Sequence, residues 1–471
     1  MATTTFSKMP RNKALDINRD NQFYGSFAEI GAGQEVARHF FQAGLASQTV
    51  AKSISAYDKT FSDAIYGKGS RFVSEDRLMK MLEHEFQLLQ DRLPERKSTT
   101  RFFTYANTVT TSSHEDESTC HGWMGIRFQL KPDGPINDIV MHVRMLDRLR
   151  LQQQESLGVL GVNLIYAAFR YTTEPANSLI KSLIDSLSKD RIEIDFIRFK
   201  GPDIEHFDNR IMSLELVHHD ISRAVLFNPQ GQTVSGGDAF YKKPVLIQRG
   251  TFRPFTMTNQ LILENGLEQM KSELGVKENS EIISVAEITM SNLKTTGNLD
   301  QKDFLDRVDT ITAMGHYVLV SNFPLFAQLK KEIRRHTENL IGIVVGASAL
   351  NGLFDESYYT KFPGGIISAF GQLFDAMTKM YVYPYKTDKI CATASTFNPK
   401  GHLSHILKYL FETGRLCDLQ NCDTVDTALH SEDVRKLLSD GNPDWEKLVP
   451  EKVKEIVIKR QLFGYGATRS Q

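Results

Sequence analysis

Cysteine is scarce: Cys120, Cys391, Cys417 and Cys422 are the only four in a chain of 471 residues. So few cannot build a disulfide framework that decides a fold of this size. Cys417 and Cys422 stand five apart, wider than a zinc knuckle, and no second close pair or nearby histidine completes a tetrahedral set. Reduced, structural cysteines are therefore expected. A charge excess is also missing, with 56 Lys+Arg against 57 Asp+Glu. That balance excludes a broad polybasic surface and, with it, strong non-specific nucleic-acid binding. No run reaches the roughly 18 consecutive apolar residues that a membrane helix needs. The nearest, Gly158 to Phe169 and Ile341 to Leu350, are short, contain glycine and read as buried core. Met1 to Asp20 lacks the apolar stretch of a secretory signal, so a cytoplasmic protein with no membrane partner is expected. No Gly-x-Ser-x-Gly elbow and no Gly-Lys-Ser/Thr phosphate loop occurs, which removes support from two common mechanistic classes.

What is present suits a globular protein: 41% hydrophobic and 24% charged residues, with 29 Phe and 15 Tyr for an aromatic core. At about 150 residues per domain the length predicts two or three domains. Residues 1–20 read as a flexible leader, 21–95 as a helical N-terminal region, 96–290 as an α/β region, and 291–471 as a second α/β region with a helical C-terminus. Ser74 caps a predicted helix whose stripe is Leu78, Met81, Leu82, Phe86, Leu89 and Leu93, stopped by Pro94. Strands are predicted at 101–109, 122–130, 138–143, 191–199, 223–227, 244–248, 281–288 and 315–320. Ile341 to Ser348 reads as a buried strand breaking into a turn. Helices are predicted at 178–187, 259–274, 301–312, 324–336, 366–380, 402–413 and 445–462. The alternation implies an α/β fold of mixed sheet layers and packed helices, with a helical N-terminal region. The polar loop Ser291 to Asp300 is the best boundary between regions.

Three clusters carry candidate chemistry. Gly25 to Gln34 holds Gly25, Gly31 and Gly33, a turn that lets backbone approach a ligand. A helix starting near Gly33 would aim free N–H groups at a phosphate. Arg249 to Asn259 sets Arg249 and Arg253 before hydroxyl residues and a helix start, the parts of an anion cradle. Lys400, His402 and His405 lie near another helix start, the two histidines three apart and able to face one ligand. His218-His219-Asp220 contains the doublet of metal-dependent phosphohydrolases. On a strand its neighbours would face opposite sides, so no metal ligand is assigned. His114 to Glu117 reads as a solvated acidic loop.

Gly25-Ser26-Phe27, Ile30 and Gly33 resemble, at the same spacing, the opening motif of nicotinate or nicotinamide mononucleotide adenylyltransferases. The two phosphate-steadying histidines of that motif fall here at Gly31 and Gln34. Thr396 to His405 is a second near-match, with Phe397-Asn398-Pro399 and two histidines but one inserted residue. The whole chain resembles a bacterial family of about this length whose members carry inconsistent labels, nicotinate-nucleotide adenylyltransferase among them. The likeness is spread along the chain and clearest over 25–44, 53–67 and 351–374. The resemblance implies a nucleotidyltransferase that uses ATP, with Mg²⁺ as its companion ion, on a small phosphorylated molecule or nucleotide. Lys400, His402 and His405 would be the catalytic set, with Gly31, Gly33, Arg249 and Arg253 binding the cofactor. The rival reading is a non-catalytic assembly protein, forming a homo-oligomer or binding a partner through aromatic patches.

Overall fold

The computed structural model describes residues 9–466, apart from 32, 70, 112–119, 276–280, 296–297, 387–389 and 420–430. The acidic run His114 to Glu117 and Cys422 lie outside the described residues. The chain is α/β and divides into two units, Met1–Arg223 and Ala224–Gln471. The Ser291 to Asp300 loop therefore falls inside the second unit.

The first unit is built on strands β1 (Phe23–Gly31), β2 (Val50–Ile54), β3 (Arg101–Thr110), β4 (His121–Phe128), β5 (Asn137–Met145) and β6 (Ile192–Lys200). Their order is β2-β1-β3-β4-β5-β6. β1 runs parallel to β2 and β3, and the rest are antiparallel. Its helices of eight or more residues are α1 (Pro10–Arg19), α2 (Val36–Ala43), α3 (Lys59–Tyr66), α4 (Glu75–Arg92), α5 (Arg150–Arg170), α6 (Ala176–Leu183) and α7 (Asn209–His218). α4 forms as its pattern predicts: the Ser74 side chain accepts from Arg77 N, and Leu78, Met81, Leu82, Phe86 and Leu89 are buried. It comes close to the sheet because Gly125 has no side chain; a Cβ there would meet Leu78 and Leu82 at 3.3 Å.

Three expectations need correction in this unit. Residues 10–19 are no loose leader but helix α1, with Ala14 and Ile17 fully buried. Its Lys13 is 1% exposed and reaches Asp185 at 2.9 Å and Asn163 at 2.8 Å. The Gly25 segment is no turn but the interior of β1, buried because it runs between two parallel neighbours. His218 ends helix α7 and His219 caps it, where a strand-like run was expected.

The second unit contains β7 (Ala224–Phe227), β8 (Thr233–Val234), β9 (Val245–Arg249), β10 (Ile283–Thr289), the ribbon β11 (Lys294–Thr295) and β12 (Asn298–Leu299), β13 (Tyr317–Ser321), β14 (Ile341–Gly346), β15 (Thr378–Tyr383), the ribbon β16 (Tyr385–Lys386) and β17 (Cys391–Ala392), and β18 (Leu416–Asp418). Its long helices are α8 (Met257–Leu274), α9 (Gln301–Ala313), α10 (Phe326–Arg334), α11 (Gly365–Leu373), α12 (Ser404–Glu412), α13 (Ser431–Ser439) and α14 (Glu451–Arg460). The main sheet has the order β18-β15-β14-β9-β10-β13-β7-β8. The six strands from β18 to β13 are all parallel, and β7 is antiparallel to β13. Residues 378–380, expected to end a helix, instead open β15. Ile247, Val285, Ile343 and Val382 share one core with Leu329 of α10 and Phe370 of α11. Cys417 is a free thiol, pushed by burial up to about 11, and Cys120 Sγ accepts from Gln153 Nε2 at 3.4 Å. Cys391 is disulfide-bonded, contrary to the expectation that every cysteine is reduced.

Candidate functional site

β9 starts in the middle of its sheet, and the chain leaves it toward β10 and β13 on one side. After α10 the chain returns to β14, on the other flank of β9, and moves outward through β15 and β18. Read from β9, this is the doubly wound order, in which ligands bind outside the carboxyl ends of the two strands where the winding reverses. The side chains agree with crossovers on opposite faces. Ile247 and Ile343 pack with α10 and α11, whereas a Cβ on Gly266 of α8 would lie 3.0 Å from Leu246 and 3.6 Å from Val344.

Register fixes the lip of the crevice. Val344 pairs with Gln248, so Val345 and Gly346 come level with Arg249 and Gly250. Glu287 of β10 sits opposite Arg249 on the other side. Beyond β14 the chain turns through Gly346, buried Ala347 and exposed Ser348. Beyond β9 it turns through Gly250 to Phe252. Phe252 is fully buried, yet holds a left-handed φ of 48°. A bulky residue in that region stores strain, and such strain concentrates at functional sites. The turn is pinned by Gly250 N donating to Glu287 O at 3.1 Å and Arg307 Nη1 donating to Thr251 O at 3.1 Å.

Arg249 does not offer its fork to a ligand. Its Nε and Nη2 donate to Glu287 at 2.7 and 2.9 Å, and it also reaches the Phe323 and Pro324 carbonyls. Glu287 is 0% exposed and accepts a further bond from Ser321 Oγ at 2.5 Å. Arg253 pairs with Asp303, which also binds Arg307. The reason is general: a buried carboxylate is stable only when paired, so each arginine brings its own anion. The α8 terminus is likewise answered within the chain. Thr256 and Asn259 form a capping box, and Met257 N donates to Leu448 O at 3.0 Å.

Gly31 and Gly33 lie in the first unit. Gly31 closes β1 with a left-handed φ of 78°, and at Gly33 a Cβ would collide with the Asn107 amide. The next helix, α2, starts at Val36, and the anion at its N-terminus is internal. The Glu29 carboxylate accepts from Val36 N at 3.0 Å and Ala37 N at 3.2 Å. Burial pushes its acid up to about 7, against the hydrogen bonds that pull it down.

The remaining candidates sit in the second unit, on the loop after β15 and the first turn of α12. In a parallel sheet every strand-to-helix loop lies at the carboxyl edge. Lys400 and His402 are exposed at that edge, and His402 Nε2 lies 3.0 Å from Glu356 Oε2. His405 instead lines an apolar hollow of about 420 Å³ with Ile367, Phe370 and Tyr409. The two histidines do not share a partner among the described residues.

Sequence reasoning missed a relay in the first unit. His121 Nδ1 lies 2.9 Å from His142 Nε2, His142 Nδ1 lies 2.5 Å from Asp195 Oδ1, and Arg144 donates to Asp195 Oδ2 at 2.7 Å. Burial would raise Asp195, but His142 and Arg144 outweigh it and hold the carboxyl well below its ordinary range. Burial, then the adjacent His142 and Arg144, pushes His121 down to about 4. The signal was present as polar residues on three neighbouring strands: His142 and Arg144 on β5, Glu193 and Asp195 on the edge strand β6, and His121 on β4.

No helix among the described residues is long and apolar enough to cross a membrane. No family model matches the chain, and no curated protein does. Solved structures give partial likenesses. Nicotinic acid mononucleotide adenylyltransferase of Plasmodium falciparum is 14% identical and covers 48% of this chain and 99% of its own, with a TM-score of 0.31. A competence-damaged protein (CinA) superfamily member of Escherichia coli is 13% identical and covers 34% of this chain and 88% of its own, with a TM-score of 0.25. The competence/damage inducible protein of Agrobacterium tumefaciens is 17% identical and covers 32% of this chain and 88% of its own, with a TM-score of 0.22. These likenesses are similarities of parts.

Proposed function

We propose that the second unit binds a nucleotide, ATP with its Mg²⁺, in the crevice at the carboxyl ends of β9 and β14, and that the protein is a nucleotide-using transferase. The observation that carries this reading is the strand order, which reverses its winding between those two strands. Backbone at Gly250 to Phe252 and at Gly346 to Ser348 forms the lip. Arg249 and Arg253 act as positioning residues that brace the strained turn through Glu287 and Asp303. β15, two strands from β9, stands roughly 10 Å away at the usual strand spacing, and Lys400 and His402 lie on the segment that leads from it to α12. That is within reach of a triphosphate. There they neutralise phosphate charge as the acceptor's phosphate oxygen attacks the α-phosphorus of ATP and pyrophosphate departs. Such a transfer needs positioning and charge stabilisation more than covalent help. The test incubates the full chain with ATP, Mg²⁺ and nicotinamide or nicotinate mononucleotide. Dinucleotide and pyrophosphate are expected in equal amounts, and the melting temperature rises with ATP. No product and no shift would end this reading.

The assembly reading keeps one observation of its own: Ile367 is 72% and Tyr409 56% exposed beside the apolar hollow. Light scattering distinguishes it, since a clean monomer contradicts self-assembly.

A further inference from the structure

We propose that Glu215, His218 and His219, at the end of α7 in the first unit, form a binding site for a divalent transition metal of the Zn²⁺ class. The three residues occupy one helical turn, with the carboxylate three and four positions before the imidazoles, so all project to one side. One ligand atom from each lies within 4.8 Å of the others. Glu215 Oε2 is 3.3 Å from His218 Nδ1 and 3.2 Å from His219 Nε2. Zinc ligands at about 2.0–2.2 Å in a tetrahedron stand roughly 3.3–3.5 Å apart, so both separations match polyhedron edges. The two rings stack with centroids 4.7 Å apart and planes at 26°.

Two further features point to a cation. His219 Nε2 is buried and has no hydrogen-bond partner among the described residues, although the Glu215 oxygen is close. A buried ring nitrogen without a partner costs free energy unless something binds it. The cluster also sits at the negative end of a ten-residue helix, where the backbone carbonyls favour positive charge. Glu215 is 4% exposed, while His218 and His219 are 26% and 15% exposed, so solvent reaches the imidazole side. The arrangement offers three protein ligands. Nitrogen–oxygen ligation of this kind suits Zn²⁺ over Mg²⁺ or Ca²⁺, which prefer oxygen alone.

The experiment titrates the chelator-treated full chain with Zn²⁺ by calorimetry and with Co²⁺ by visible absorption. Wild type is compared with His218→Ala, His219→Ala, Glu215→Gln and the control His206→Ala. The expected result is one equivalent bound by wild type and by the control, with affinity about tenfold or more weaker in each of the other three. His218 is partly exposed, so its replacement is expected to leave the fold intact, and circular dichroism checks each variant. Equal stoichiometry and affinity in wild type and in the double variant His218→Ala/His219→Ala would overturn the proposal, as would no binding by wild type.

Discussion

Both units place a helix after a glycine-containing turn at the end of a parallel strand, yet the two turns serve different ends. In the first, β1 leads through Gly31 and Gly33 to α2. Glu29 and Asn107 fill the space where a ligand anion would sit. The neighbouring strand β3 pairs antiparallel with β4, the next strand in the chain, so β1 and β3 do not both leave by crossovers to parallel strands. In the second, β9 and β14 both leave by crossovers, in opposite directions, the strand order in which ligands bind outside the carboxyl ends. Winding, more than glycine content, separates the two turns. The units also handle charge alike: Lys13 with Asp185, Arg249 with Glu287 and Arg253 with Asp303 are pairs closed within the chain.

The comparison breaks most readily at Lys13. Asp185→Ala strands a buried ammonium and is expected to cost about 3–5 kcal/mol in urea unfolding. The double variant Lys13→Met/Asp185→Leu should recover most of that loss; equal losses in both would show that the charge is not what matters.

Glu29 tests whether the first turn is closed by a carboxylate. Its native pKa of about 7 exceeds the ordinary 4.5, so between those values the native state keeps a proton that the unfolded chain has shed. Stability then falls as pH rises through that window, by roughly 3 kcal/mol from this group. Glu29→Gln removes the effect. The wild-type minus variant difference in unfolding free energy should change between pH 4.5 and 7 and level off above; a constant difference would contradict the assignment.

The open turn of the second unit is sharpened by filling it. A Cβ at Gly346 meets only Ser348 Oγ, at 3.8 Å, and the residue is not in a left-handed conformation. Gly346→Val should therefore change stability by no more than about 0.5 kcal/mol. ATP affinity should nevertheless fall about tenfold, a loss of roughly 1.4 kcal/mol. Unchanged affinity would move the ligand elsewhere. The smallest effect is expected at Lys400, exposed on the segment between β15 and α12. Lys400→Ala should slow turnover by about 2–5-fold, close to 0.4–1 kcal/mol of barrier, with little change in melting.

Much of the architecture was legible because it rests on local patterns. The α4 stripe, its Ser74 cap and the apolar run of β14 emerge as read, and β6 forms where it was expected, although Glu193, read as alternating outward, is buried. β1 was not, because the motif glycines in Gly25 to Gly33 suggested a turn, while its burial comes from strands 78 residues away in sequence at the Ser26–Thr104 contact. β2 and β15 were hidden inside helical-looking stretches for the same reason, since their strand character comes from neighbours in the sheet. The site was less legible than the fold. Arg249 and Arg253 were visible as cations, but Glu287 and Asp303, which neutralise them, lie 38 and 50 positions on and are brought there by β10 and α9. The reversal of winding between β9 and β14 depends on strand order and has no local signature at all.

Hydrogen exchange of the full chain with and without ATP and Mg²⁺ tests the central claim most directly. Slowed exchange is expected at residues 250–252 and 346–351, flanking the ends of β9 and β14. Protection confined to residues 31–37 of the first unit, or none anywhere, would contradict the account.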